Sequence, residues 1–259
     1  MFIKKTLKLF FKILLDKLNL KLIRNKHKFL CQQKVIEDSL TIYQNHLSRE
    51  IEKKSDFKRP LFIDMGSNLG QGFDYFSKYF SPIFFDYIFL EPSPKCFEYL
   101  KENIPVKIAS LTNNKIHKKF INFEILNVAV SDKNGETYLY GLNEDERGDT
   151  SEGASINRYH NSRFYKSNKN KAITVKTISA GDLINKYSRD RDIVIIKMDI
   201  EGAEYHVIED IIKKDALKSI TRIYIEWHTK YFSYDEKGKY EQWEKDLKIS
   251  LGDKAKEWH

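Results

Sequence analysis

Cysteine is scarce in this chain of 259 residues, which has two, Cys31 and Cys96. Two cysteines build no disulfide framework, and their spacing makes no metal knuckle, so the sequence points to a reducing, cytoplasmic setting. Proline is scarce too, five in all, with no two adjacent. Lysines break the apolar N-terminal stretch too often for it to cross a bilayer, and no small-residue cleavage site follows it. Most of the chain also lacks a charge surplus. The formal charge is +8, from 45 basic and 37 acidic residues; nine basic residues and Asp16 lie in residues 1–28, leaving 36 of each sign elsewhere. The high pI therefore belongs to a terminal arm and not to a groove, which argues against nucleic acid as a partner.

That arm reads as an amphipathic helix, with Lys4, Lys8 and Lys12 on one face and Phe10, Phe11, Ile13, Leu14, Leu15 and Leu18 on the other. Two uses fit it: a peripheral anchor on anionic lipid at the inner face of a membrane, or a helix packed on the body of the protein or on a second copy. The organisation expected is a basic helical extension over 1–59, a catalytic domain over 60–228 and a helical tail over 229–259.

The most informative segment starts at Leu61. An apolar strand, Leu61 to Met65, runs into Gly66, Asn68, Gly70 and Gly72 and then a helix, and a second strand ends on Glu91. Glycines let backbone approach a ligand, and an acid at the second strand end chelates ribose hydroxyls, so this layout builds a nucleoside site. G-x-G-x-x-G, the pyrophosphate turn, is missing. Asp64 stands just before the turn, where a carboxylate repels phosphate and attracts an ammonium. S-adenosylmethionine carries an ammonium, a sulfonium and a ribose without phosphate, and fits better than a dinucleotide.

Further along, Pro94 starts a helix through Asn103. Phe120 to Val130 reads as a third strand, turned at Asp132–Gly135, with Glu136 to Tyr140 pairing back. Residues 141–171 are a polar loop. Ile173 to Thr177 is a strand and Ala180 to Tyr187 a helix. Ile193 to Ile196 is a strand buried on both faces, followed by a helix over Ala203–Lys213 and a strand over Arg222–Ile225. Alternating strands and helices predict an α/β fold: a doubly wound, mostly parallel Rossmann-like sheet with helices on both faces.

Four blocks together resemble the signature of FkbM-type methyltransferases: Phe62 to Gly70, Leu90 to Pro94, Asn127 to Gly135, and Ile196-Lys197-Met198-Asp199-Ile200-Glu201-Gly202-Ala203-Glu204. The resemblance spans about residues 60–228 and implies a class I S-adenosylmethionine-dependent enzyme that O-methylates a sugar, glycan or related small molecule. It implies that Asp64, Gly66, Asn68 and Gly70 hold the methionine part of the cofactor, that Glu91 takes the ribose, and that Ser131 meets adenine. Ligands bind at the carboxyl ends of strands in such sheets, so Asp199, Glu226 and His228 are the candidates for a base. Asp199 is the first choice, with a helix N-cap as its bland role. Glu204 reads as a residue that stabilises a helix dipole. Asp199, Glu226 and His228 could also ligate Mg²⁺, but the set is irregular and no metal is assigned. The loop offers Ser155, Asn157, Arg158, Tyr159, His160, Arg163, Tyr165 and Lys166 to an acceptor, Arg and Lys suiting an acidic glycan and Tyr a sugar face.

One feature departs from that family. Class I sheets end in an antiparallel hairpin, and residues 229–259 show helical spacing at Tyr240, Trp243, Leu247 and Leu251 instead. The rival readings are a methyltransferase for nucleic acid or protein, an inactive binding or assembly subunit of the same fold, and a dehydrogenase. The first lacks both a Pro-Pro box and a Pro-Cys nucleophile. The second sits badly with intact Asp64 and Glu91. The third lacks its glycine turn and a credible Tyr-x-x-x-Lys pair, since Tyr240 is followed at the fourth place by Glu244.

Overall fold

Alternation within single strands builds this fold. A computed structural model describes residues 33–44, 59–111, 122–141, 153–160 and 171–258. Arm residues 1–32, Cys31, and the loop residues Arg163, Tyr165 and Lys166 lie outside these. The strands in chain order are β1 (Leu61–Met65), β2 (Asp86–Leu90), β3 (Phe123–Leu126), β4 (Ala129–Ser131), β5 (Gly135–Leu139), β6 (Ile173–Ser179), β7 (Val194–Met198), β8 (Arg222–Ile225) and β9 (Ala255–Glu257). The helices are α1 (33–44), α2 (Gln71–Phe76), α3 (Pro94–Leu111), α4 (Ala180–Tyr187), α5 (Glu204–Lys213) and α6 (Tyr234–Leu251).

Successive side chains of a strand point to opposite faces. In β1, Leu61, Ile63 and Met65 join a mostly aliphatic layer with Ile88, Leu90, Val194, Ile196, Met198, Ile223 and Ile225. Phe62 joins the opposite layer, where Phe73, Phe76, Phe80, Phe85, Tyr87, Phe89 and Tyr224 pack in a mixture of edge-on, tilted and stacked pairs. Both faces are covered, as an all-parallel sheet requires. The order is β3-β2-β1-β7-β8-β9, and every pair in it is parallel. The chain leaves one half of the sheet and returns beside β1 as β7, so the strand order reverses there. A crevice opens at such a switch point, outside the carboxyl ends of the strands. This is an α/β, Rossmann-like fold.

Three details differ from expectation. The stretch 120–130 is two strands and not one. β3 pairs with β2, whereas β4 leaves for a second sheet of order β4-β6-β5. Asn127 causes the break: its Nδ2 donates to the Glu91 and Pro92 carbonyls at 2.9 and 3.1 Å, which ties the chain to the end of β2 and turns it outward. The added strand β5 therefore pairs antiparallel with β6, and does not fold back on the third strand. The terminal segment does supply one strand. β9 lies parallel to β8 at the edge, secured by Trp258 N–H to Ile225 O at 2.9 Å, in place of a hairpin. Tyr240, Leu247 and Leu251 of α6 are buried in the aliphatic layer, so residues 234–258 share the core of the sheet.

Helix α1 packs beneath the aromatic layer through Val35, Ile42 and Tyr43, and Asp38 pairs with Arg222 at 2.8 Å.

Candidate active site

The turn after β1 alternates left-handed residues, with φ of 77° at Gly66, 45° at Asn68 and 86° at Gly70. Gly66 is required twice over, because an added Cβ would sit 1.8 Å from the Asp199 carbonyl oxygen. Asn is the side chain that best tolerates such a φ. The turn presents Asn68 N–H to Glu91 Oε2 at 2.8 Å, while Ser93 N–H donates to Oε1 at 2.8 Å. Glu91 is thus fixed at the end of β2 with one backbone donor on each oxygen and a lone pair left on each. Two parallel acceptors of this kind suit the two hydroxyls of a vicinal diol. Burial pushes the Glu91 carboxyl up to about 7, against the opposing effect of the Ser93 and Asn68 N–H groups.

From sequence, Asp64 is expected on a ligand ammonium. The structure turns it elsewhere: it is wholly buried, and its Oδ1 lies 3.2 Å from Lys197 Nζ, its partner across β1 and β7. Gly72 makes this placement sterically feasible, since a Cβ there would come within 3.0 Å of Asp64 Oδ2. Lys197 also donates to Gly66 O at 2.6 Å, lies 3.4 Å from Asp199 Oδ2, and sits 5.3 Å from the Trp258 ring centre. Burial alone would lower the Lys197 pKa, but Asp64 and Asp199 outweigh it and hold it above its usual value. Asp64 and Lys197 therefore brace the turn from beneath. The signal for Lys197 was in the sequence, a lone charge inside the apolar run Ile195 to Met198.

Asp199 and Glu226 each extend the ladder by one bond past their strands, Asp199 N–H to Met65 O at 3.1 Å and Glu226 N–H to Met198 O at 3.0 Å. Their carboxylates stand side by side at the crevice with Glu201 and His228. His228 Nε2 lies 3.2 Å from Glu201, 3.6 Å from Asp199 and 4.0 Å from Glu226. Its Nδ1 meets Glu204 Oε1 at 2.9 Å, and that same oxygen accepts from Ile200 and Gly202 N–H at 3.2 Å each. Burial opposes the charge on His228, but Glu204, Glu201 and Asp199 overcome it and push the imidazole up to about 10. Burial raises Glu201 to about 7, and burial lowers His160 to about 3.

Several expectations change here. Helix α5 is capped at Ala203, so Asp199 is no N-cap. Glu204 orients His228 through Nδ1. The carboxylates around His228 favour its protonated form, which weighs against it as the base. Glu201 and Glu204 belong to the site, although spacing alone marks them only as helix-start residues. Glu201 reaches it through a left-handed φ of 54°, unusual for a side chain of its size.

Segment 153–160 turns inward more than expected. Ser155 Oγ donates to Glu201 O, Asn157 Nδ2 to Gly202 O at 2.7 Å, and buried His160 lies 3.4 Å from Glu201. These three hold the Glu201–Gly202 bend and do not reach outward. Arg158 stays exposed, over the Tyr159 ring at 4.6 Å. Ser131 stands in the small sheet, not at the mouth of the strand beside β2, because of the break at Asn127. It faces a cavity of about 280 Å³ together with Lys133, Asn157, Tyr159, His206 and Tyr240.

The profile of the methyltransferase FkbM domain matches residues 64–249, most of the chain. No curated protein matches it. Among solved structures, methyltransferase FkbM from Methylobacillus flagellatus KT aligns with 12% identity and a TM-score of 0.38, over 66% of this chain and 33% of that one. The N-terminal domain of human METTL16, in complex with SAH, aligns with 11% identity and a TM-score of 0.28, over 72% of this chain and 54% of that one. The chain spans about a third of the first and about half of the second. On the domain match and the sheet that carries it, this chain belongs to the FkbM methyltransferase family.

Proposed function

We propose that the protein is an S-adenosylmethionine-dependent O-methyltransferase acting on a hydroxyl of a sugar, a glycan or a related small molecule. The observation that carries this reading is Glu91, a buried carboxylate at the end of β2 whose two oxygens are each fixed by one backbone N–H beside the left-handed turn. The residues fit the cofactor: a diol grip at Glu91, and a turn without a phosphate-binding glycine pattern. S-adenosylmethionine supplies a methyl group already activated on a sulfonium.

The chain then has two tasks. One is alignment, holding the acceptor oxygen in line so that its bond to carbon forms as the carbon–sulfur bond breaks. The other is to take the hydroxyl proton. Asp199 and Glu226, partly open at the crevice and next to a cationic His228, are the groups placed for it, and a positioned base contributes about 10²–10⁴-fold. No step is assigned to Mg²⁺. The cavity beside Tyr159 and Lys133 suits the remainder of a glycan acceptor. A labelled methyl-transfer screen over nucleotide-sugars, oligosaccharides and lipid-linked glycans tests the proposal. Label on a hydroxyl of one class is the expected result; label appearing only in protein or RNA would overturn it.

A further inference from the structure

We infer that the crevice edge between β7 and β8 is a seat for a divalent transition-metal ion, held by Asp199, Glu226 and Nε2 of His228, with Glu201 alongside. Single donor atoms of Asp199, Glu226 and His228 all lie within 4.8 Å of one another. Glu201 Oε2, 3.2 Å from Nε2, adds negative charge beside that group. Three carboxylates this close repel one another; Lys197 is shared between Asp199 and the buried Asp64, and the exposed Lys230 reaches Glu226 only at 3.9 Å.

The second observation is the ring itself. His228 is 2% exposed, and its Nδ1 is committed to Glu204. Its Nε2 is aimed among the three carboxylates and makes no hydrogen bond among the described residues, although their oxygens lie 3.2, 3.6 and 4.0 Å away. A histidine that ligates a metal characteristically hands its other ring nitrogen to a carboxylate, which fixes ring and tautomer. Glu204 is that carboxylate, and two backbone N–H groups lock it in turn. One imidazole among carboxylates selects Mn²⁺, Fe²⁺ or Zn²⁺ over Mg²⁺, which prefers oxygen alone. Asp199, Glu201 and Glu226 are each about a quarter exposed, so an ion can enter.

The seat stands on these side chains alone. Its use, lowering the pKa of an acceptor hydroxyl at an open coordination position, rests on the methyl-transfer reading above. Titration of the metal-stripped full chain with Mn²⁺, following the EPR signal of the free ion, tests it. One ion per chain is expected. Glu201→Gln and Glu226→Gln should each weaken uptake at least about tenfold, and Glu204→Gln about 10–100-fold, while Glu91→Ala leaves it unchanged. An undiminished free-ion signal at millimolar Mn²⁺, or equal uptake by wild type, Glu201→Gln and Glu226→Gln, would overturn the seat and leave His228 as a plain imidazolium counter-ion. Should Glu204→Gln fail to fold, the two partly exposed glutamates decide. S-adenosylmethionine titrated into the same samples separates the two ideas: Mn²⁺ uptake without cofactor binding sinks the methyl-transfer reading alone, and the reverse sinks the seat alone.

Discussion

Glu91 and Lys197 are both buried charges, held in opposite ways. Glu91 is raised to about 7 because burial exceeds what two N–H donors return. A ribose diol donates to the ionised form, so cofactor binding favours loss of the proton. The sign follows: affinity for S-adenosylmethionine should be flat above pH 8 or so and fall by up to about tenfold per unit below about pH 7. Calorimetry between pH 5.5 and 8.5, repeated in buffers of different ionisation enthalpy, reads both the slope and the released proton; a flat profile would count against a diol on Glu91. Lys197 faces two carboxylates, and one of them, Asp64, has no other ion-pair partner among the described residues. Lys197→Met should therefore cost about 3–5 kcal/mol in urea unfolding, the cost of stranding a buried charge. Asp199→Asn should leave cofactor affinity intact and reduce turnover by about 10²–10⁴-fold in single-turnover assays once an acceptor is found; full activity would transfer the role of base to Glu226.

The elements were legible wherever one period ran unbroken. β1, β7 and β8 are buried on both faces along nearly all their length and stand close to where expected. Helix α3 runs past Asn103 to Leu111 and through Pro105, since Ile104 and Ile108 keep its buried stripe going. β9 was not legible, because Ala-Lys-Glu carries no alternation; only its pairing to β8 and the Trp258 anchor make it a strand. Nor was the break at Asn127, which depends on two carbonyls at the end of β2. The charged cluster was half legible. Asp199, Glu226 and His228 announce themselves as strand-end residues, whereas Glu204 joins them only because the Glu201–Gly202 bend brings the start of α5 against His228. Glycine tests the same contrast. Gly66→Ala should destabilise by about 1–3 kcal/mol or more through its clash with Asp199 O. Gly238→Ala, in α6 with nothing within 4 Å of the new methyl, should stabilise by about 0.5–1 kcal/mol. Thermal or urea unfolding of the pair reads both signs.

Across the whole molecule, sheet topology places chemistry. Parallel strands bring their carboxyl ends to one edge, and the reversal between β1 and β7 opens the crevice where Glu91, Lys197, Asp199 and Glu226 gather. No two of these four come from the same strand-to-helix unit except Lys197 and Asp199, which flank the end of β7. The arrangement therefore depends on the complete sheet. The charge surplus belongs to residues 1–28, and the rest of the chain balances 36 basic against 36 acidic residues. The most direct measurement is a calorimetric titration of the full chain with S-adenosylmethionine, alongside Glu91→Ala and with NAD⁺ as comparison. One S-adenosylmethionine bound per chain, weakened at least about tenfold by the substitution, with no heat from NAD⁺, is the result expected. Absence of binding, or equal affinity in Glu91→Ala, would contradict the assignment of this crevice to a sulfonium-bearing nucleoside.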